Sequence, residues 1–335
     1  MTTREYSHIG KHRPKVDALR KALGTTQYAD DLRLPRMAHG RLLRSTQAHA
    51  RIKSIDTSKA EALPGVYAVI TGHVLPVQFG IMPTAEDEHA LAVDKVRYVG
   101  DPVAAVAAVD EETAEAACRL IRVEYEPLKP VFTIEEAVGT AADATERIHE
   151  DFGAGGNIHK IVSLEFGDLE GAFARADLVD EGVYFFEGNT HLPMEQHSAL
   201  AHYDAAPGGG PGKLTLWSAT QTPHYVHKAL AKVLGLPPHR MRVVAPPTGG
   251  GFGGKDDPFS HEIAACKLSM LTGRPVKITL SREEVFYTHR GRHPVPMWSK
   301  TGWKAHATLT GMHSKSCLPG GAHASYGPAG TYNTG

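Results

Sequence analysis

Several short stretches of the first 130 residues carry short apolar runs bounded by polar or turn-forming residues, the pattern of strands. "HGRLLRST" (39–46) and "VYAVIT" (66–71) have this form. "VRYVGDPVAAVAAVD" (96–110) predicts two strands, broken at the turn-forming Gly100-Asp101-Pro102. The pattern then changes. In "EETAEAACRLI" the residues Ala114, Ala117, Cys118 and Ile121 share one helical face, and Asp110 stands before them as an N-cap. "RVEYEPL" reads as a returning strand, so this region forms a compact α+β module over roughly residues 20–130.

Beyond it the pattern weakens. "VGTAADATERIHEDFGAGGNIHK" (138–160) is rich in Gly and small residues and reads as a linker, which places one unit at 15–135, the linker at 136–157 and a second unit at 158–335. The second unit opens with extended segments, "DLVDEGVYFFEGNTHLPMEQHSALAHYD" and "KLTLWSAT", joined through the hairpin-like "AAPGGGPG". A helix follows, with Thr222 as N-cap, Pro223 at its first position, an apolar face of Val226, Ala229, Leu230 and Val233, and Gly235 at its end. "RMRVVAP" predicts a buried strand. A further helix is expected to start at Asp257-Pro258, bury Phe259, Ile263, Cys266 and Met270, and stop at Gly273, with "PVKITL" as the next strand.

Composition narrows the function classes. The chain of 335 residues is 41% hydrophobic, enough for at least one full core. Lys and Arg total 36 against 37 Asp and Glu, interspersed, so no net field favours nucleic acid or an anionic membrane. No apolar run approaches the ~20 residues of a membrane span, and the polar start "MTTREYSHIGKHRPK" lacks the apolar core of a signal peptide. A cytoplasmic protein is expected. Cys118, Cys266 and Cys317 are far apart and without a C-x-x-C pair, which argues against disulfides and a zinc site. Among the 20 histidines, His261-Glu262 lacks the second His of H-E-x-x-H.

The richest stretch is "TGGGFGGKDDPF" (248–259). Gly249, Gly254 and Lys255 satisfy half of a phosphate-binding P-loop, and Gly249, Gly251 and Gly254 spell G-x-G-x-x-G. A P-loop needs Ser or Thr after its Lys, whereas Asp256 and Asp257 follow here and would repel a triphosphate. The dinucleotide reading wants glycines directly after the strand, but Pro246, Pro247 and Thr248 intervene and no ribose-binding acid is evident. Two readings stay open: a plain strand-to-helix turn, or a loop whose bare backbone admits a bulky polar group, with N–H groups at a helix start for its oxygens.

Five motifs in order, "VGDPVAAVAA", "MEQHSALA", "SATQTPH", "TGGGFGGK" and "SREEVFYTHRGRHP", resemble the molybdopterin-binding large subunit of the xanthine oxidase and aldehyde oxidase family, over nearly the whole chain. Within it, residues 79–115 are most similar to the α subunits of 4-hydroxybenzoyl-CoA reductase. The resemblance implies an N-terminal α/β hammerhead domain followed by the first part of a molybdenum-cofactor-binding domain, an α+β architecture. It implies a molybdopterin-type molybdenum cofactor here, and [2Fe–2S] clusters and FAD in partner subunits, since this sequence has neither a plant-type cluster motif nor a flavin domain. Gln221 matches the glutamine beside the apical ligand of molybdenum. Gly250, Gly251, Phe252 and Gly253 match the loop that packs against the pterin and the metal's ligands. Such a metal is held by the pterin's sulfurs, so the protein supplies close backbone approach and hydrogen bonds rather than a ligand cluster.

Each residue also has a plainer reading. Gln221 satisfies backbone groups at a helix start, Phe252 anchors a loop, and Lys255 is a solvated loop charge. Asp256 falls where xanthine-oxidising relatives carry a substrate-contacting Glu; its shorter carboxylate argues against purine recognition. In "MEQHSALA", Gln196 replaces the Pro common after this Glu, and Glu195 and His197 read as structural. Family subunits are about twice as long. The resemblance therefore places the remaining cofactor loops, an arginine-bearing substrate segment and the glutamate base outside this chain, in which no catalytic base is identified. A molybdenum oxidoreductase of an aromatic, heteroaromatic or aldehyde substrate is the expected function, with a non-catalytic remnant or assembly module as the rival. The isolated chain is expected to be inactive, with the 15–135 region folding by itself.

Overall fold

The computed structural model describes residues 6–139, 147–150 and 156–333, except 207, 209, 211 and 289. Its first part contains strands β1 (Ala38–Arg44), β2 (Ala50–Asp56), β3 (Val66–Thr71), β4 (Lys95–Val96), β5 (Pro102–Ala108) and β6 (Arg122–Pro127), with helices α1 (Ala18–Ala22), α2 (Ser58–Glu61), α3 (Glu111–Leu120) and α4 (Ile134–Gly139). The second contains α5 (Leu169–Ala174), β7 (Leu178–Phe186), β8 (Ser198–Asp204), β9 (Lys213–Ser218), α6 (Pro223–Leu234), β10 (Met241–Val244), α7 (Ser260–Thr272), β11 (Val276–Thr279), α8 (Arg282–Thr288), β12 (Val295–Trp303), β13 (Leu309–Ser316) and α9 (Gly327–Asn333).

The two parts share one sheet. Its seven strands run β10-β9-β8-β11-β1-β5-β3, and the parallel pairing of β1 with β11, Ala38 opposite Val276, joins them. β5 explains its own composition: every residue is buried, because Ala104, Val106 and Ala108 face α3 while Ala105 and Ala107 face the cluster that holds α7. Only small side chains let helices approach both faces of a strand so closely. α3 is capped as its sequence predicts, Asp110 accepting from the Thr113 N–H at 2.8 Å, and it buries Ala114, Ala117 and Cys118. α6 spans Pro223–Leu234, buries Val226, Ala229, Leu230 and Val233, and ends on left-handed Gly235.

Other expectations are corrected. The Thr222 hydroxyl does not cap α6 but donates to the Asp256 carbonyl. α7 begins at Ser260 rather than at Asp257, because the Asp257 carboxylate is held by Arg290 and Ser325. Nor is α7 one-sided: Ser260–Thr272 is buried at eight positions, since it lies between β8, β11, β3 and β5, while Met270 is only partly covered. β10, expected to be buried, is an edge strand with Met241 alone buried. β2 eludes the alternation rule because its register against β6 shifts between Ile52 and Ser54, a bulge that turns Ile55 rather than Ser54 inward. The predicted linker and the "AAPGGGPG" segment lie partly outside the described residues. Its residues Arg147 and Ile148 dock on the first part through carbonyls that accept from Lys95 Nζ and Arg97 Nε, 2.9 and 3.0 Å away. A separate sheet, β13-β12-β7, carries exposed Val183, Tyr184, Phe185 and Phe186 on β7. Among the described residues no helix is long and apolar enough to cross a membrane.

Candidate functional site

β9 and β10 are parallel, so their C-terminal ends emerge on the same edge of the sheet, where open α/β sheets place ligands. Gln221 follows β9, and the glycine loop follows β10 by way of Ala245–Thr248. β8 runs antiparallel to β9, which brings Glu195-Gln196-His197 to that same edge just before β8 starts. Three chain segments distant in sequence thus meet.

The loop is folded tightly on itself and on these neighbours. Gly250, Phe252 and Gly253 have φ of +108°, +55° and +90°, and the Gly254 N–H closes a turn on the Gly251 carbonyl at 2.8 Å. Gln221 Oε1 accepts from the Gly253 N–H at 3.1 Å and the Lys255 N–H at 3.2 Å. Glu195 Oε2 accepts from the Gly249 N–H at 2.9 Å and from Lys255 Nζ at 2.7 Å. Contact is close enough to exclude side chains: a Cβ on Gly251 would lie 2.2 Å from Gln221 Oε1, and one on Gly249 would lie 2.8 Å from Glu195 Cβ. Gly249 and Gly251 are thus required by close approach, and Gly250 and Gly253 are favoured by backbone sign.

Two sequence expectations change as a result. Lys255 is not a solvated charge; it is 1% exposed and paired with Glu195, and burial draws its pKa below the ordinary lysine value against the pull of that carboxylate. It is therefore unavailable to a nucleotide phosphate, which removes the P-loop reading. Nor does the loop present a free helix start, because α7 begins six residues after Gly254 and the Phe259 N–H is taken by Glu262 at 2.8 Å. What is available is the tip. Among the described residues the N–H groups of Gly250, Gly251 and Phe252 have no partner, and the Phe252 side chain is 71% exposed. A large aromatic left in water on left-handed backbone, beside three unpaired donors, fits an oxygen-rich, bulky ligand.

Gln221 is exposed, and its carbonyl accepts from N–H groups of the loop rather than of a helix start, while its NH2 makes no hydrogen bond to the described protein. Asp256 lies at the same mouth. Burial pushes its carboxyl above the ordinary aspartate value, opposed by His191, whose own pKa burial lowers. A Cβ on Gly253 would stand 3.6 Å from His191 Nε2 and 3.8 Å from Asp256 Oδ2, so Gly253 forms the floor between them. Sequence reading missed His191, and also the Glu195–Lys255 clamp; no local spacing marks a pair 60 residues apart.

The family described as molybdopterin cofactor-binding domain matches residues 149–335, and the one described as aldehyde oxidase and xanthine dehydrogenase, a/b hammerhead domain, matches residues 23–129. The chain is 39% identical over 328 residues to the nicotinate dehydrogenase large molybdopterin subunit of Eubacterium barkeri, covering 97% of this chain and 74% of that one. It is 38% identical over 287 residues to the carbon monoxide dehydrogenase large chain of Afipia carboxidovorans, covering 82% and 35%. The aldehyde oxidoreductase from Desulfovibrio gigas superposes with a TM-score of 0.81 at 30% identity, over 94% of this chain and 35% of that one. A hammerhead domain preceding a molybdenum-cofactor-binding domain defines the class, and the chain belongs to the molybdopterin-binding large subunits of the xanthine oxidase family. It spans three quarters of the Eubacterium barkeri subunit and about a third of the other two relatives.

Proposed function

We propose that this chain supplies one wall of the molybdopterin site in a molybdenum oxidoreductase that acts on an aromatic, heteroaromatic or aldehyde substrate, the 4-hydroxybenzoyl-CoA reductase type included. The observation that carries the reading is the loop tip: unpaired N–H groups on Gly250, Gly251 and Phe252, an exposed Phe252, and Gln221 with a spare NH2 at one sheet edge. A molybdopterin cofactor bound there would supply the two-electron redox centre. The loop amides would bind its oxygens, Phe252 would cover its ring system and exclude water, and the Gln221 NH2 would donate to a ligand of the metal. Asp256 and His191, across Gly253, would orient the substrate. The family resemblance assigns the general base to the remainder of the subunit. Partner subunits with [2Fe–2S] clusters and FAD would carry the electrons.

Metal and cofactor analysis of the chain purified together with its neighbouring gene products tests this. Stoichiometric molybdenum and pterin are expected in the complex. A complex without either metal or pterin would leave the non-catalytic assembly module standing instead. Calorimetry with ATP and with NAD should show no saturable binding, because Lys255 is spent on Glu195; micromolar affinity for either would overturn the assignment of the loop.

A further inference from the structure

Away from the glycine loop, three side chains from distant segments converge. Asp87 comes from the loop between β3 and β4, His149 from the docked residues 147–150, and His323 from the loop after β13. One ligand atom from each lies within 4.8 Å of the others. Asp87 is 2% exposed. Its Oδ2 accepts from the Ala324 N–H at 2.9 Å and lies 3.6 Å from His149 Nε2; its Oδ1 lies 3.9 Å from His323 Nδ1.

Two of these atoms, Asp87 Oδ1 and His323 Nδ1, are buried without a hydrogen-bond partner. Nearby cations do not relieve them. Arg290 is held by Glu88 and Asp257, and Arg97 by the carbonyls of Ile148 and Lys95. A buried carboxylate oxygen facing only imidazole is costly unless something charged sits between them. Two imidazoles and a carboxylate are a donor set for zinc and its neighbours in the first transition row. Donors on a tetrahedral Zn2+ with bonds of about 2.0–2.1 Å stand roughly 3.3–3.4 Å apart. The three ligand atoms, within 4.8 Å of one another, would draw together by up to roughly 1.4 Å, and His149 Nε2 would exchange the Ala322 carbonyl, 2.6 Å away, for the ion. The same three residues line a cavity of about 540 Å³, which offers an entry path and a fourth position for water.

We propose that Asp87, His149 and His323 bind one divalent transition-metal ion of the Zn2+ type, independently of any cofactor at the glycine loop. Bound there, the ion ties the β3–β4 loop to residues 147–150 and to the loop after β13. It fastens the first part of the chain to the second at a point remote from their shared sheet.

The test uses the full chain, with whatever subunits purify alongside it, stripped by chelator and titrated with Zn2+ or with Co2+ as a visible probe. One tight equivalent of Zn2+ per chain is expected, with a Co2+ absorption spectrum of low-coordinate type. Asp87→Asn, His149→Gln and His323→Gln should each weaken binding at least about 10-fold, whereas exposed His239→Gln should not. Because these changes keep size and polarity, circular dichroism checks folding, and Zn2+ should raise the Tm of the wild type but not of His323→Gln. Wild-type chain with no tight equivalent, or three cluster variants that bind as it does, would overturn the site. Molybdenum content plays no part in the outcome.

Discussion

At the scale of single residues, the Glu195–Lys255 pair decides whether the glycine loop holds its shape. Lys255 is 1% exposed, so removing its partner leaves a buried ammonium. Glu195→Ala should cost about 3–5 kcal/mol in urea denaturation, while Glu195→Leu combined with Lys255→Met should recover most of it. Equal losses in the single and double variants would show that the pair does not act through charge. Gln221 and Gly253 separate by readout. Gln221→Ala in an assembled complex should lower turnover by about 10–100-fold with cofactor content largely kept. Gly253→Val should reduce cofactor content, because valine is strained at a φ of +90° and its side chain enters the space between His191 and Asp256. Normal molybdenum content in the Gly253 variant would refute that contact.

Elements carry two further expectations. α7 is buried almost all round and includes Glu262, whose carboxyl accepts from Ser218 and from the Phe259 N–H and is pushed by burial up to about 7 from 4.5. The folded protein therefore holds a proton that the unfolded chain has released between these values. Its contribution to stability is fully present below pH 4.5 and is lost as pH rises toward 7. Glu262→Gln, which keeps an acceptor and stays neutral, should flatten the fall in Tm across that window; an unchanged slope would contradict it. β7 is the opposite kind of element: an edge strand with Val183 at 76% and Phe185 at 61% exposure. Such a strand invites association when nothing covers it. Sedimentation velocity of the isolated chain should show self-association that Val183→Ser with Phe185→Ser reduces, and a monomeric wild type would argue against an uncovered face.

For the whole molecule, the shared sheet changes what the first part can do alone. β1 and β5 belong to the same seven strands as β8 and β11, and one core cluster runs from Ala38, Leu42 and Ala105 to Ala201, Ile263 and Leu268. A 15–135 fragment would expose the β1 edge and the face of β5 that α7 covers. It is expected not to persist as the protease-resistant core that its own capped helix and strands suggest. Hydrogen exchange should protect β5 and β8 amides to a similar depth, as one cooperative unit. Survival of a 15–135 fragment in limited proteolysis would show that the first part stands independently.

Sequence alone determined the elements whose signals are local. The Asp110 cap with its Ala114, Ala117 and Cys118 face, and the Pro223-to-Gly235 helix, were legible because caps and helical spacing act within a few residues. The run TGGGFGGK marked the loop because close approach excludes side chains at Gly249 and Gly251 and a positive φ favours glycine at Gly250 and Gly253. Contacts across the fold followed no such rule. β2 hid behind its bulge, Lys255 looked like surface until Glu195 met it from 60 residues away, and β5 looked like one strand of a small module. Asp87, His149 and His323 carry no motif at all, since their spacing along the chain bears no relation to their spacing in space. Burial and charge compensation depend on what the rest of the chain brings alongside, so only the tertiary structure could decide them.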